Sequence, residues 1–280
     1  MKAAFQGELG AYSEAALLQH FGPRVEPVGF AFSEQVFDAV EQGRADAGFV
    51  PVENSIAGPV GVNTDLLLER PVFAVAESYL LIEHCLLGRP GARLDGVTAV
   101  LSHPIALAQC RDFINARGWK TIPEYDTAGA ARLVAERKVP GEAAIASKRC
   151  AQAYGLAVLA EDIQAIKDNY TRFLAFVRED RAPRDAETGK TSLAFSVQHH
   201  PGALLECLKL FADHAINLTK LESRPITSNP FEYSFFVDCL GGTEDAAVQA
   251  ALAQLRRTAR SMKVLGSYPL AARRPAAPQR

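Results

Sequence analysis

The chain has no long apolar run, no cysteine pair and no excess of charge, and each absence removes a class of function. SYLLIEHCLLG (78–88), the best candidate for a membrane span, is too short and carries Glu83 and His84. The opening MKAAFQGELG has one lysine and no apolar stretch, so no signal peptide is expected. The five cysteines, Cys85, Cys110, Cys150, Cys207 and Cys239, are odd in number, widely spaced and set in apolar segments. That usage predicts buried free thiols in a reducing compartment, hence a cytoplasmic protein. A formal net charge of −2 offers no basic face for nucleic acid. GELG (7–10) is not the dinucleotide fingerprint, and no phosphate-binding loop motif occurs. Ser102 and His103 lack a nucleophile elbow, and His199 and His200 beside Pro201 read as a solvated turn, so no metal and no cofactor is expected. A small-molecule ligand and further copies of the chain remain as partners.

What is present is a chain of 280 residues with 48% hydrophobic and 22% charged side chains, enough for one large domain or two modest ones. Up to about residue 177, short apolar runs such as KAAF, ADAGFVPVEN, GVTAVLS and EAAIAS alternate with helical patterns, which predicts an α/β domain over 1–177. Ser33 is expected to cap a helix that Gly43 ends. REDRAPRDAETGK (178–190) is charged, holds Pro183 and Gly189 and has no apolar period, so it reads as a linker. Over 191–268 the order becomes βαββαβ, the ferredoxin-like arrangement, with Thr243 as the expected cap of its second helix. The tail 269–280 is expected to fray.

Polar residues recur at the carboxyl ends of the expected strands: Ser13, Asn54 with Ser55, Ser102 with His103, Thr127 and Ser147. Each alone is a good helix cap. Together, with Gly7, Gly10 and Gly58 permitting close backbone approach, they favour a cleft for a small anion beyond the strand ends. DNYTRFLAF (168–176) adds a polar entrance to a core strand. Arg172 is the best partner for a carboxylate, against an equal case for an ion pair with Asp168 or Glu161. Glu53 reads equally as an acid or base and as a structural acceptor. In an extended strand Asn169 and Thr171 share one face and Arg172 takes the other.

Seven segments in order, FQGELGAYSEAA, VPVENSIAGPV, SHPIALAQC, AAIASKRCAQAYGL, NYTRF and the later pair PGALLE and LESRP, resemble the prephenate dehydratases that carry a C-terminal ACT regulatory domain. The resemblance covers nearly the whole chain. It implies a catalytic domain of two α/β lobes, like a periplasmic binding protein, with the chain crossing between lobes near residues 75–80 and returning near 165. The implied reaction is the decarboxylating dehydration of prephenate to phenylpyruvate, without a cofactor. Thr171 is implied as central to catalysis, polarising the departing hydroxyl, and Asn54 as an active-site asparagine. Ser13, Ser55, Ser102, Asn169 and Arg172 are the candidates for holding substrate. Where the family commonly has Gln after SHP this chain has Ile105, and Gln109 is one turn further along the same helix. Asp126 stands where Ser is usual.

For the ACT domain the resemblance implies phenylalanine as feedback inhibitor. Gly202, Ala203, Leu204 and Leu205 would hold it at a helix N-terminus, and Glu222, Ser223, Arg224 and Pro225 would lie against a partner chain. A homo-oligomer is therefore expected, a dimer or a tetramer. The alternatives are an arogenate dehydratase and a non-catalytic sensor of carboxylates or amino acids.

Overall fold

The computed structural model describes residues 1–183, 188–226 and 229–271. Residues 184–187 of the expected linker and 272–280 of the expected tail lie outside the described residues. By compactness the chain divides into two units, Met1–Val60 with Tyr79–Phe173 and Gly61–Ser78 with Leu174–Arg280.

The first unit opens with β1 (Lys2–Gln6), α1 (Tyr12–Phe21), β2 (Glu26–Phe30), α2 (Ser33–Glu41), β3 (Ala47–Asn54) and the short β4 (Gly58–Pro59). After α3 (Gly61–Glu69), which belongs to the second unit, β5 (Val72–Leu81) leads into β6 (Cys85–Gly88). Next come β7 (Ala99–Ser102), α4 (Pro104–Gln109), α5 (Arg111–Asn115), β8 (Lys120–Pro123), α6 (Thr127–Arg137), β9 (Glu142–Ala146), α7 (Lys148–Tyr154) and β10 (Ala157–Ala160). The chain then returns as β11 (Tyr170–Arg178).

These strands make two lobes. In the first the order is β11-β3-β1-β2, with β1 parallel to both neighbours. In the second it is β10-β6-β9-β7-β8, with β7 parallel to β8 and β9. Each sheet needs helices on its faces because its middle strands are buried throughout, as Ala3–Phe5 and Ala143–Ala146 are. The second lobe closes on Leu86, Val100, Leu107, Cys110, Ile114 and Ile145. In the first, Phe173 of β11 stacks on Phe49 of β3 with centroids 5.2 Å apart. Truncating either ring would cost about 3–5 kcal/mol. The run Phe173–Phe176 is the buried strand expected, and Thr171 and Arg172 stand at its entrance.

Local chemistry sets the helix starts, and two expected caps are corrected. Ser33 is the first helical residue of α2; Phe32 precedes it, and Gln35 caps backwards by accepting from the Phe32 N–H at 3.1 Å. Asp245, rather than Thr243, stands before α9 (Ala246–Thr258), and its carboxylate accepts from Gly242 N at 2.8 Å. Asp126 does cap α6, accepting from Gly129 N. His103 caps α4 through Nδ1, which accepts from Ile105 N at 3.2 Å.

The second unit contains β12 (Lys190–Ser196), α8 (Ala203–Asp213), β13 (Leu218–Ile226), β14 (Asn229–Leu240), α9 and β15 (Ser261–Tyr268). The order β13-β14-β12-β15, all antiparallel, is the ferredoxin-like sheet, and β5 adds parallel to β15. Gly266 makes that addition possible, since a Cβ there would lie 2.4 Å from the Ala74 Cβ. Cys207 and Phe211 of α8 and Leu252 and Leu255 of α9 pack on Leu193, Phe195 and Val237 of the sheet. Lys190 and Glu77 form a buried ion pair at 2.8 Å.

Candidate active site

Asn54 ends β3, where the chain must turn into β4, and its side chain makes the turn. Its Oδ1 accepts from the backbone N–H of Ile56 at 3.0 Å and of Ala57 at 2.8 Å. Two donors on one amide atom identify it as the oxygen, so Nδ2 must donate everything else. It donates to Thr171 Oγ1 at 2.9 Å and to Asn169 Oδ1 at 2.8 Å, with a longer approach of 3.3 Å to the Tyr170 carbonyl. The Thr171 oxygen is thus an acceptor from Asn54, and its own O–H is left to donate elsewhere. Accepting one hydrogen bond polarises a hydroxyl and strengthens the bond it donates.

The hydrogen bonds continue outward. Asn169 is fully buried, and because its oxygen accepts from Asn54 its Nδ2 donates to Gln109 Oε1 at 3.2 Å. Gln109 is the last residue of α4, in the second lobe. Its oxygen also lies 2.8 Å from His84 Nε2. The far nitrogen of His84, Nδ1, lies 2.8 Å from the hydroxyl of Tyr12, at the start of α1. One polar chain therefore runs from Tyr12 through His84, Gln109, Asn169 and Asn54 to Thr171. It links strand β3, the entrance of β11 and α4 across the two lobes.

The remaining expected residues have other environments. Ser55 ties the entrance of β11 in place: its Oγ accepts from Tyr170 N at 2.9 Å and donates to the Asp168 carbonyl at 3.3 Å. Ser102 is fully buried and donates to the Ile145 carbonyl at 2.6 Å, within its own lobe. Ser13 stands in the first turn of α1. Arg172 is only 5% exposed, with Nη1 3.8 Å from Glu53 Oε2; because β11 begins at Tyr170, it faces away from Thr171. Glu53, on the neighbouring strand, is thus an ion partner of Arg172. Ser147 donates to the Gly10 carbonyl at 2.5 Å, holding the first loop to the second lobe. Ile105 is exposed, and Gln109 is the side chain of α4 that reaches the group.

Burial governs the titrations nearby. It lowers His84 from the usual histidine value, with the Gln109 bond acting in the opposite sense, and it holds the Tyr12 phenol well above its ordinary range. His84 is therefore neutral and Tyr12 keeps its proton at neutral pH. All five thiols are free and buried, and burial pushes Cys110 and Cys150 up to about 12. Among the described residues no three metal-ligating side chains converge. A cavity of about 530 Å³ opens between the lobes beside the ends of β1, β2 and β8, lined by Phe5, Glu8, Phe30, Tyr125, Arg132 and Tyr154. Arg132 there pairs with Glu8 at 2.6 Å.

In the second unit, Gly202 stands at the N-terminus of α8 with φ +90°, a conformation that favours glycine. A cavity of about 710 Å³ is lined by His199, His200, Gly202, Ala203, Leu204 and Leu205. Glu222, Ser223, Arg224 and Pro225 lie on β13, the outer strand of that sheet. The Arg224 guanidinium pairs with Asp65 of α3, its Nε 3.1 Å from Oδ1, and passes where a Cβ on Gly61 would sit.

Two α/β lobes joined by a polar, acceptor-to-donor ordered chain, followed by a ferredoxin-like module, define a small-molecule enzyme with an appended regulatory fold. The prephenate dehydratase family model matches residues 3–181 and the ACT domain model residues 191–257. The chain is 40% identical over 279 residues to arogenate dehydratase/prephenate dehydratase 2, chloroplastic, of Arabidopsis thaliana, covering 96% of this chain and 73% of that protein. Prephenate dehydratase from Arthrobacter aurescens, solved with L-Phe, superposes with TM-score 0.89 at 34% identity, covering 99% of this chain and 92% of that one. A protein described as GqqA, a novel type of quorum quenching acylase, superposes with TM-score 0.89 at 34% identity over 97% of this chain and 98% of that one. The chain belongs to the prephenate dehydratase family, lyases that act by decarboxylating dehydration, and carries a C-terminal ACT domain.

Among the described residues no helix is long and apolar enough to cross a membrane. Tyr12 and His84 lie outside the set of residues expected to form the site, and Gln109 enters that set only through its spacing from Ile105. The signal for His84 is a polar residue inside the apolar run SYLLIEHCLLG.

Proposed function

We propose that the chain converts prephenate to phenylpyruvate in phenylalanine biosynthesis, with Thr171 and Asn54 acting on the departing hydroxyl. The observation that carries the reading is the direction of the Asn54–Thr171 hydrogen bond, 2.9 Å from Nδ2 to Oγ1. It leaves the threonine O–H to hydrogen-bond the ring hydroxyl as the C–O bond breaks. A threonine hydroxyl is too weak an acid to release its proton outright at neutral pH, so it stabilises the hydroxide as that charge develops. Electrons from the breaking bond to the carboxylate carbon close the aromatic ring, carbon dioxide leaves, and the departing hydroxide takes one proton from solvent to become water. Asn169 holds Asn54 in this role. Ser55 keeps the β11 entrance in register and Ser13 is assigned to a carboxylate, whereas Ser102, bonded to the Ile145 carbonyl, and Arg172, paired with Glu53, back the site from behind.

The family matches support a catalytic domain over 1–177, a linker over 178–190 and a regulatory domain over 191–268. The L-Phe in the Arthrobacter structure supports phenylalanine as effector. Its place would be the cavity at Gly202–Leu205, with Glu222–Pro225 of a second copy alongside, in a homodimer or tetramer. Cytoplasmic placement rests on five free buried thiols. The Arabidopsis relative is named for both arogenate and prephenate. Turnover of each substrate by the purified protein, with and without phenylalanine, tests the reading: prephenate is expected to be preferred and phenylalanine to inhibit. Equal rates on the two substrates would contradict the preference, and no phenylpyruvate at all would contradict the dehydratase reading.

A further inference from the structure

His84 is buried to 2% exposure between the lobes, yet every polar atom of its ring is engaged. Gln109 Oε1, 2.8 Å from Nε2, can only accept, so Nε2 carries the proton. A neutral ring then has a bare Nδ1, which faces the Tyr12 hydroxyl at 2.8 Å, whose single proton is shared between it and the Glu83 carbonyl at 2.9 Å. The Tyr12 ring meets His84 edge-on, with centroids 5.5 Å apart and planes at 80°. The backbone is pinned as well: His84 N donates to Gln164 Oε1 at 2.8 Å, and its carbonyl accepts from Ile163 N at 3.0 Å. Such a ring cannot turn over without breaking both side-chain bonds.

The consequence falls on Gln109. Its oxygen is held from two sides, by His84 Nε2–H and by Asn169 Nδ2–H at 3.2 Å. An amide whose oxygen is fixed in this way presents its NH2 group on the opposite side. Without the histidine, the glutamine could rotate and offer Asn169 either end. Asn169 in turn sets the donor hydrogen that Asn54 gives to Thr171.

We propose that His84, held as its Nε2–H tautomer between the Gln109 oxygen and the Tyr12 hydroxyl, is a positioning residue for the dehydratase site, acting through Gln109. This rests on the reading of the Asn54–Thr171 pair as the catalytic group. Tyr12 belongs to the first lobe and Gln109 to the second, so the histidine also couples lobe placement to the glutamine's orientation.

A double-mutant cycle tests it, because groups acting through one another are non-additive whereas independent structural damage adds. Gln109→Ala is expected to lower kcat on prephenate by about 100-fold. His84→Ala is expected to lose on the order of 10-fold through misplacement. The double variant should match Gln109→Ala within about twofold. His84→Gln, which can set an amide N–H near the place of Nε2, should recover most of the loss. Tyr12→Phe should lose less than His84→Ala and nothing further in the Gln109→Ala background. Should His84→Ala fail to fold, the Tyr12 cycle decides. Losses that multiply would overturn the proposal. Independently of turnover, nitrogen NMR of the wild-type chain should find His84 protonated at Nε2. A proton on Nδ1 would overturn the proposal. Wild-type protein inactive on prephenate with the Nε2–H tautomer intact would instead count against the dehydratase reading.

Discussion

Asn54 Nδ2 stands 2.9 Å from Thr171 Oγ1 and donates to it, because two backbone N–H groups occupy the Asn54 oxygen. That fixed direction makes an asparagine and a threonine from distant parts of the chain into one donor aimed outward. A partner able to accept from the threonine would consume that donor.

Asn54→Asp tests the direction. The new carboxylate keeps both backbone acceptor bonds, so the turn should survive. It can only accept from Thr171, and so draws the threonine proton away from substrate. We expect kcat on prephenate to fall by about 100- to 1000-fold with the fold intact by circular dichroism. Activity within about threefold of wild type, far short of the loss of a transition-state donor, would show that the direction of this bond is immaterial.

The effector site makes a separate prediction. Gly202 has φ +90°, so Gly202→Ala should strain the start of α8 by about 1–2 kcal/mol and add a methyl group where the effector's carboxylate would approach. Calorimetric titration should show phenylalanine affinity lost or reduced by about tenfold or more, the size of a clash of about 1.4 kcal/mol made by the methyl group on binding, with prephenate turnover in its absence near wild type. Unchanged phenylalanine affinity would remove Gly202 from the site.

Acid should weaken the fold through histidine. Burial lowers His20, His84 and His103 from 6.5 in the folded chain. The unfolded chain therefore binds more protons below about 6.5, and stability falls as pH drops from there toward the lowered folded values. Asp126 works in the opposite sense: its carboxyl is raised by burial, so it favours the folded state as pH falls toward 3.8. Urea midpoints should be higher at about pH 7.5 than at about pH 5.5. A midpoint unchanged between them would contradict neutral buried histidines.

Much of this was legible in residue order. The period of two put Asn169 and Thr171 on one face and Arg172 on the other, and Thr171 and Arg172 do face apart because β11 begins at Tyr170 and includes both. The βαββαβ order matches the ferredoxin-like sheet. What escaped was anything that depends on two lobes meeting. Ile105 stands out as a missing glutamine, but it is exposed, while Gln109 one turn on turns toward Asn169 and His84. His84 lies 72 residues from Tyr12, and no local pattern pairs them. The expected caps at Ser33 and Thr243 are displaced because a good capping residue one or two positions away is indistinguishable from the right one without the backbone. The polar entrance at Asp168–Arg172 turns out to be both things a sequence could suggest: Ser55 anchors it as a corner, and Asn54 makes it a donor.

The central claim is that Thr171 donates a hydrogen bond to the leaving hydroxyl and stabilises its developing charge, and kcat for phenylpyruvate formation measures it directly. Thr171→Val keeps the shape of the side chain and removes the hydroxyl, both its outward donor and its acceptor for Asn54. We predict a loss of about 100- to 1000-fold in Thr171→Val and retention of most activity in Thr171→Ser. A Thr171→Val enzyme that turns over prephenate at the wild-type rate would contradict it.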